Sequence, residues 1–221
     1  MKKILILIPA FNAEKTIYQL IEKISTNNIE KENILVVDDG SFDSTYEIAK
    51  NCGVNVLQHK KNKGKGEALK TGFGYALKEG YSGVITLDAD LQHDPRFIPE
   101  FIKKAESDIL VGTRDIRLKT MPLPRWLSNN LTSIIVSILG DTKVRDSQSG
   151  YRYISTEVLK SIRLKTKKYE LESELLIKAG RRKFKIDPVP ISTIYQGSKS
   201  FINPLVDTGR FIKLMWKSLF W

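Results

Sequence analysis

Cysteine is almost missing from this chain of 221 residues: Cys52 stands alone, so no internal disulfide can form and no zinc site can be built from thiolates. That usage fits a reducing compartment. Histidine is nearly as scarce, with only His59 and His93, and no Ser-His-Asp or Cys-His nucleophile pattern accompanies them. No run of 18 apolar residues occurs, which argues against a membrane-spanning helix. The opening MKKILILIPAFN places two lysines before an apolar stretch. Only five apolar residues precede Pro9, however, and no small-residue cleavage site follows, so it reads as a first buried strand rather than a signal peptide. A Walker-type phosphate loop is also absent, because Asn62-Lys63-Gly64-Lys65-Gly66 lacks the G-x-x-x-x-G-K-[ST] spacing. Nor is there an internal repeat or a linker rich in glycine or serine. A single domain follows, long enough to bury about 70–75% of its unfolded surface.

Negative charge is in short supply. Lys and Arg number 36 against 25 Asp and Glu, a net charge of +11. The excess is uneven: residues 160–185 hold ten basic side chains against three Glu, and a second cluster runs from His59 to Lys65. Such patches suit an anionic partner, whether nucleic acid, a phospholipid surface or a phosphorylated substrate, although a solvated lysine-rich face is the blander explanation of each cluster.

Short apolar runs at Ile4 to Ile8, Ile34 to Val37, Val54 to Leu57, Val84 to Leu87 and Ile109 to Val111 are strand-length and bounded by polar or Gly/Pro punctuation. Between them, Ala13 to Ile24, Asp43 to Lys50, Gly66 to Leu77 and Pro95 to Ala105 carry apolar residues at helical spacing. Alternation of this kind predicts an α/β fold, a doubly wound and mainly parallel sheet with helices on both faces. Beyond residue 115 the spacing predicts helices at Trp126 to Leu139, Thr156 to Ile162 and Leu171 to Ala179, a polar turn from Asp141 to Ser149, and a strand from Lys185 to Ile194. On a final helix from Arg210 to Trp221, Arg210, Lys213 and Lys217 form one stripe and Phe211, Ile212, Met215, Trp216, Leu219 and Phe220 cover much of the rest. That pattern suits either an interfacial helix or one folded onto the core.

Ligands of open parallel sheets bind beyond the carboxyl ends of the strands, where strand order reverses. The loops to inspect are Pro9-Ala10-Phe11-Asn12, Asp38-Asp39-Gly40-Ser41 and Asp88-Ala89-Asp90-Leu91-Gln92-His93. Asp88 and Asp90 can both approach one hard divalent cation, with Gln92 adding an amide oxygen, and such a cation would neutralise a departing diphosphate. Asp38 and Asp39 can accept hydrogen bonds from a ribose or base, or simply form an Asp-Gly turn with Gly40 at positive φ. His59, inside a lysine cluster, is expected to be exposed and inert. His93 is expected to touch a phosphate or line an acceptor site.

Eight strings, IPAFN at 8–12, VVDDGS at 36–41, NKGKGEAL at 62–69, DADLQHDP at 88–95, VGTR at 111–114, DSQSGYR at 146–152, YELESELLIKA at 169–179 and QGSKS at 196–200, run in the order found in family 2 glycosyltransferases. The chain resembles that family over nearly its whole length, and within it the dolichol- or polyprenyl-phosphate sugar synthases. The resemblance implies a GT-A fold over residues 1–200, with a nucleotide-binding half to about 115 and an acceptor half from 116; residues 201–221 form the amphipathic tail, for which membrane association and packing on the core both stay open. It implies inverting transfer from a UDP- or GDP-sugar to a lipid phosphate, with Mg²⁺ or Mn²⁺ held by Asp88, Asp90 and Gln92. Pro9, Ala10, Phe11, Asp38, Asp39, Asp88, Ala89 and Lys199 would contact the donor, and Arg114 and Arg125 the acceptor phosphate. Where the family often reads P-x-Y-N-E, Ala13 stands at the Glu position and Glu14 follows.

A phosphate monoester has a second pKa near ~6 and is already an anionic nucleophile at neutral pH, so it needs little help from a base. A hydroxyl acceptor would instead need a carboxylate, and Asp146 and Glu174 are the catalytic candidates beside Asp90, with a turn residue and an exposed helix charge as their plainer alternatives. Transfer to a glycan or glycolipid hydroxyl is therefore the rival activity. A nucleotide-sugar pyrophosphorylase would need glycine in the first loop, which has none, and acidic residues at the ligand edge speak against a nucleic-acid partner. The expected location is cytoplasmic, peripheral at the inner membrane face. Oligomeric state leaves no mark on the sequence.

Overall fold

The computed structural model describes residues 3–114, 123–192, 204–218 and 221, with 123–127 and 204–208 as helix backbone only. The strands are β1 (Ile4–Ala10), β2 (Ile34–Asp38), β3 (Asn55–Gln58), β4 (Gly83–Thr86), β5 (Ile109–Arg114), β6 (Arg152–Ser155) and β7 (Ile186–Ile191). The helices are α1 (Ile17–Ser25), α2 (Thr45–Asn51), α3 (Lys65–Lys78), α4 (Ile98–Lys103), α5 (Leu123–Gly140), α6 (Thr156–Ser161), α7 (Glu170–Arg181) and α8 (Pro204–Ser218). The strands form one sheet in the order β3-β2-β1-β4-β6-β5-β7.

Alternating side chains of β1 build both layers. Ile4, Ile6 and Ile8 face a cluster with Leu20 and Ile21 of α1, Ala49 of α2 and Phe101 of α4. Leu5 and Leu7 face another, with Leu69 and Phe73 of α3, Val136 of α5 and Leu175 of α7. This is the two-sided burial that a nearly continuous apolar strand requires.

Two features depart from the expected pattern. Strand β6 was not legible: it pairs antiparallel with both β4 and β5, inserted between them. A fully buried Arg152 at its start broke the apolar run that would have signalled a strand. Strand β7 contains Pro188 and Pro190 and stands at the sheet edge beside β5, where a strand tolerates missing N–H donors. It covers Ile186–Ile191, and positions 193–194 of the expected strand lie outside the described residues.

Helix α8 folds onto the second layer through Leu214 and Phe211. The Arg181 guanidinium donates to Leu139 O of α5 (2.6 Å) and Ser218 O of α8 (2.5 Å), fastening the ends of both helices to α7. Lys178 Nζ lies 4.4 Å from the centre of the Trp221 ring. Ile212 and Trp216 remain exposed on α8, as do Leu131, Ile134 and Ile138 on α5. Among the described residues, no helix is long and apolar enough to cross a membrane.

Candidate active site

Strand order reverses between β1 and β4: the chain runs outward from β1 to β2 and β3, then returns to place β4 on the other flank. The crevice of a doubly wound sheet opens at such a point. Its walls are the loops after β1 and β4, with the β2 loop alongside.

The first two loops are stitched together. Asn12 N–H donates to Ser41 Oγ (2.9 Å), Phe42 N–H to Asn12 Oδ1 (3.0 Å), and Ala13 N–H to Thr45 Oγ1 (2.7 Å). Glu14 Oε2 accepts from Ser44 N–H (3.3 Å), so the glutamate displaced by one position joins this junction. Phe11 meets the highly exposed Phe42 edge to face, with ring centres 6.1 Å apart, an aromatic rim suited to a base.

Beneath the rim, Asp38 and Asp39 are buried and hydrogen-bonded within the protein. Asp38 accepts from Ser41 N–H (3.1 Å), the Ser41 hydroxyl and Gln58 Nε2 (2.9 Å). Gly40, at φ +74°, makes the turn between them possible. Asp39 meets His59 Nδ1 at 2.6 Å and accepts from the backbone N–H groups of Lys63 (3.0 Å) and Gly64 (2.6 Å). His59 is therefore neither exposed nor inert. Its other ring nitrogen lies 2.9 Å from Thr71 Oγ1, and with both nitrogens partnered the ring can be buried despite its lysine neighbours.

The β4 loop carries the acidic pair. Lys65 Nζ lies 2.6 Å from Asp88 Oδ1. Burial pushes the Asp88 carboxyl upward, but the Lys65 charge outweighs it and holds the pKa below the usual range. Gly150 allows the loop to come this close, since a Cβ there would sit 2.5 Å from Asp88 Oδ2. Asp90 is open to solvent at the crevice mouth, and its carboxylate accepts backbone bonds, from Gln92 N–H (3.0 Å) and from its own N–H. Desolvation by the surrounding loop, then repulsion from Asp88, raise its pKa. Two carboxylates that disfavour each other's charge fit a divalent cation, which would relieve the repulsion. Among the described residues no group of three His, Cys, Asp or Glu converges. The fit is thus to a cation held by one or two carboxylates and completed by phosphate oxygens and water.

On the opposite wall Arg114, at the end of β5, grips Asp146 with two bonds, Nε to Oδ2 (2.7 Å) and Nη2 to Oδ1 (2.8 Å). Asp146 is fully buried; burial would raise its pKa, but the arginine's hydrogen bonds and charge bring it below the ordinary carboxylate value. It is thus a poor base. Asn129 of α5 lies close enough to the Asp146 carboxylate to help lower its pKa, yet among the described residues neither end of its buried amide completes a well-formed hydrogen bond. Sequence reasoning missed Asn129, because only tertiary contact brings a buried amide to this carboxylate. Between the two walls sits His93, buried against Tyr151 at 5.4 Å. Burial above all, opposed by Asp88 and reinforced by Lys65 and Arg114, lowers its pKa to about 4, so the ring is neutral near pH 7. Among the described residues, its Nδ1 and the Tyr151 hydroxyl have no hydrogen-bond partner.

Two expected site residues have other settings. Glu174 is fully buried rather than an exposed helix charge, and it accepts from Lys165 N–H (2.9 Å), Thr166 N–H (2.8 Å), the Thr166 hydroxyl (2.7 Å) and Lys178 Nζ (2.5 Å). Saturated in this way, it anchors the 165–166 segment and is not placed to take a proton. Glu174→Ala is expected to lower stability by about 3–5 kcal/mol while leaving turnover per folded molecule near wild type, read by urea denaturation and activity on one preparation. Arg152 was passed over as a functional element: its buried guanidinium donates to Ser149 O (2.7 Å), Ser147 O (2.8 Å) and Glu172 O (2.7 Å), and so shapes the 146–150 loop. Arg125 stands in the first turn of α5, but its side chain, and Lys199 entirely, lie outside the described residues.

A doubly wound sheet with an acidic loop at its switch point is the architecture of an α/β domain that takes a nucleotide at that edge, and its overall course is that of the GT-A fold. Residues 5–163 match glycosyl transferase family 2, and the chain belongs to that family. It is 38% identical over 219 residues to UDP-N-acetylglucosamine–dolichyl-phosphate N-acetylglucosaminyltransferase of Methanococcus voltae, covering 88% of this chain and 86% of that one. It is 32% identical over 190 residues to a dolichol-phosphate mannosyltransferase of Pyrococcus furiosus, covering 80% of this chain and 53% of the relative. In fold it matches glucosyl-3-phosphoglycerate synthase of Mycobacterium tuberculosis, solved with Mn²⁺, UDP and glucosyl-3-phosphoglycerate. The TM-score is 0.75 at 24% identity, over 99% of this chain and 78% of the other.

Proposed function

We propose that this glycosyltransferase moves a sugar from a UDP- or GDP-sugar to a polyprenyl or dolichyl phosphate, with inversion, at the cytoplasmic face of a membrane. The observation that carries the choice of acceptor is the state of the two carboxylates a hydroxyl would need. Asp146 is tied to Arg114 and Glu174 is buried in its own network, so neither offers a base. An anionic phosphate needs none. The relatives from Methanococcus voltae and Pyrococcus furiosus, both named for dolichyl phosphate, support the same reading.

In this reading the Phe11–Phe42 rim receives the base, and the β1 and β2 loops, with Pro9, Ala10, Asp38 and Asp39, position the nucleoside. Asp88, Asp90 and Gln92 would hold a Mg²⁺ or Mn²⁺ ion, which would supply positive charge to the diphosphate. Arg114 presents a planar guanidinium to the acceptor phosphate, with Asn129 and Arg125 as further contacts and Lys199 closing on the donor. A phosphate oxygen attacks the anomeric carbon from the face opposite the diphosphate. The new C–O bond forms as the old one breaks, the nucleoside diphosphate leaves, and no proton need be removed. Leu131, Ile134 and Ile138 of α5, with Ile212, Trp216, Lys213 and Lys217 of α8, form exposed apolar and basic surface suited to a lipid headgroup boundary.

The test pairs donor screening with acceptor choice. The preferred nucleotide sugar should raise the melting temperature only alongside Mg²⁺ or Mn²⁺, by an amount corresponding to about 2.7 kcal/mol at a hundred times its Kd. Radiolabel from that donor should then pass to polyprenyl phosphate and not to neutral polyprenol. Transfer to a glycan hydroxyl with none to polyprenyl phosphate would put the rival acceptor in its place.

A further inference from the structure

Lys65 is the first residue of α3 and reaches across the crevice floor to two other elements. Its ammonium lies 2.6 Å from Asp88 Oδ1 on the β4 loop and 3.3 Å from each carboxylate oxygen of Glu172 on α7. Those oxygens match the three N–H donors of the ammonium. The centre of the Tyr169 ring stands 5.9 Å from the ammonium. The stem has little room to retreat. Glu67 N–H, two residues on, donates to Lys167 O (3.1 Å), and a Cβ at Gly66 would meet Lys167 C at 2.6 Å, so the start of α3 is pressed onto the 167–168 segment. Glu172 is held from behind, its carbonyl accepting from the buried Arg152 (2.7 Å).

We propose that Lys65, backed by Glu172, gates the Asp88–Asp90 loop: it weakens binding of a bare divalent cation and admits the cation together with the donor diphosphate. This rests on the donor-site reading above. An ammonium bonded to Asp88 cancels that carboxylate's charge and repels a second cation approaching it. A nucleoside diphosphate brings negative charge of its own, which attracts the ammonium and offsets the repulsion. The same lysine therefore works against the cation alone and in favour of the nucleotide, so each ligand tightens the other. Such coupling is reciprocal, and neutralising the lysine should weaken it in both directions. The sequence NKGKGEAL thus has a use unlike that of a Walker loop: its second lysine is addressed to a carboxylate that is shared with the metal.

The experiment measures Mn²⁺ binding by electron paramagnetic resonance of the free ion, with and without UDP or GDP, on wild type, Lys65→Met and Lys65→Arg. Wild type is expected to bind Mn²⁺ alone weakly and at least tenfold more tightly with its preferred nucleotide. Lys65→Met should bind Mn²⁺ alone at least tenfold more tightly than wild type, lose most of the tightening by nucleotide, and bind the nucleotide less well. Lys65→Arg, which keeps the charge, should stay within about threefold of wild type in Mn²⁺ affinity. Should the Met variant fail to fold by circular dichroism, Lys65→Gln retains hydrogen-bond donors without the charge and carries the same expectation. Wild-type binding that neutral variants leave within twofold, or an Arg variant that behaves like Met, overturns the gate alone. Absence of Mn²⁺ binding to wild type with either nucleotide overturns the donor-site reading as well.

Discussion

Asp90→Asn is expected to lower sugar transfer by roughly three orders of magnitude, with the circular dichroism spectrum and melting temperature close to wild type. The size follows from the proposed role: charge stabilisation of a leaving diphosphate contributes several kcal/mol, and each ~1.4 kcal/mol is tenfold in rate. The fold should survive because Asp90 is exposed on a loop and its side chain accepts from backbone N–H groups, that of Gln92 among them, which an amide oxygen can still do. The raised carboxyl pKa points the same way, since removing a charge that Asp88 repels relieves the nucleotide-free protein. Steady-state kinetics on purified variant, beside a thermal melt, decides it. Near-normal turnover by folded Asp90→Asn would remove this residue from the metal site.

Arg114→Ala should cost about 3–5 kcal/mol of stability at pH 7, because Asp146 would be left fully buried with its charge unpaired. The pH dependence follows from the sign of the shift. In the wild type the Asp146 pKa is depressed by Arg114, so its stabilising contribution is present above the unfolded value near ~3.9 and is lost as pH falls through the lower folded value. In the variant burial dominates and the carboxyl is raised, so acid relieves the variant while it weakens the wild type. The stability gap should therefore narrow as pH is lowered from 7 toward 4, measured by denaturant melts at each pH. Arg114→Lys keeps a charge but loses the two-pronged grip. It should retain most of the stability and raise the KM for polyprenyl phosphate, leaving donor hydrolysis without acceptor unchanged. A pH-independent gap would mean that the pair does not control Asp146.

The strand and helix alternation through residue 114 was legible because the apolar runs of β1, β2 and β4 are buried throughout, and even the half-buried edge strand β3 has no competing helical pattern. Three loops could be selected from topology alone, and the structure places all three at the carboxyl edge around the switch between β1 and β4. Hidden in the sequence was which polar side chains those loops leave available. Asp38, Asp39, Asp88 and Asp90 look alike as residues ending strands, yet the first two are satisfied by Ser41, Gln58, His59 and the 63–64 backbone, and Asp88 by Lys65, while Asp90 stays open.

Local pattern settled what each segment would become, since periodicity and turn chemistry act over a few neighbouring residues. It also set the order of the elements, and with it the edge of the sheet where a nucleotide sugar would bind. Partner choice was decided only by the tertiary fold. Lys65 meets Glu172 across 107 positions and Arg114 meets Asp146 across 32, and no periodicity carries information over such distances. A charged residue reads as exposed until its partner is in view, which is why His59 and Glu174 were misjudged and Arg152 concealed β6. Burial of a charge depends on whether a complementary group arrives in space, and in this chain the arriving groups come from remote loops.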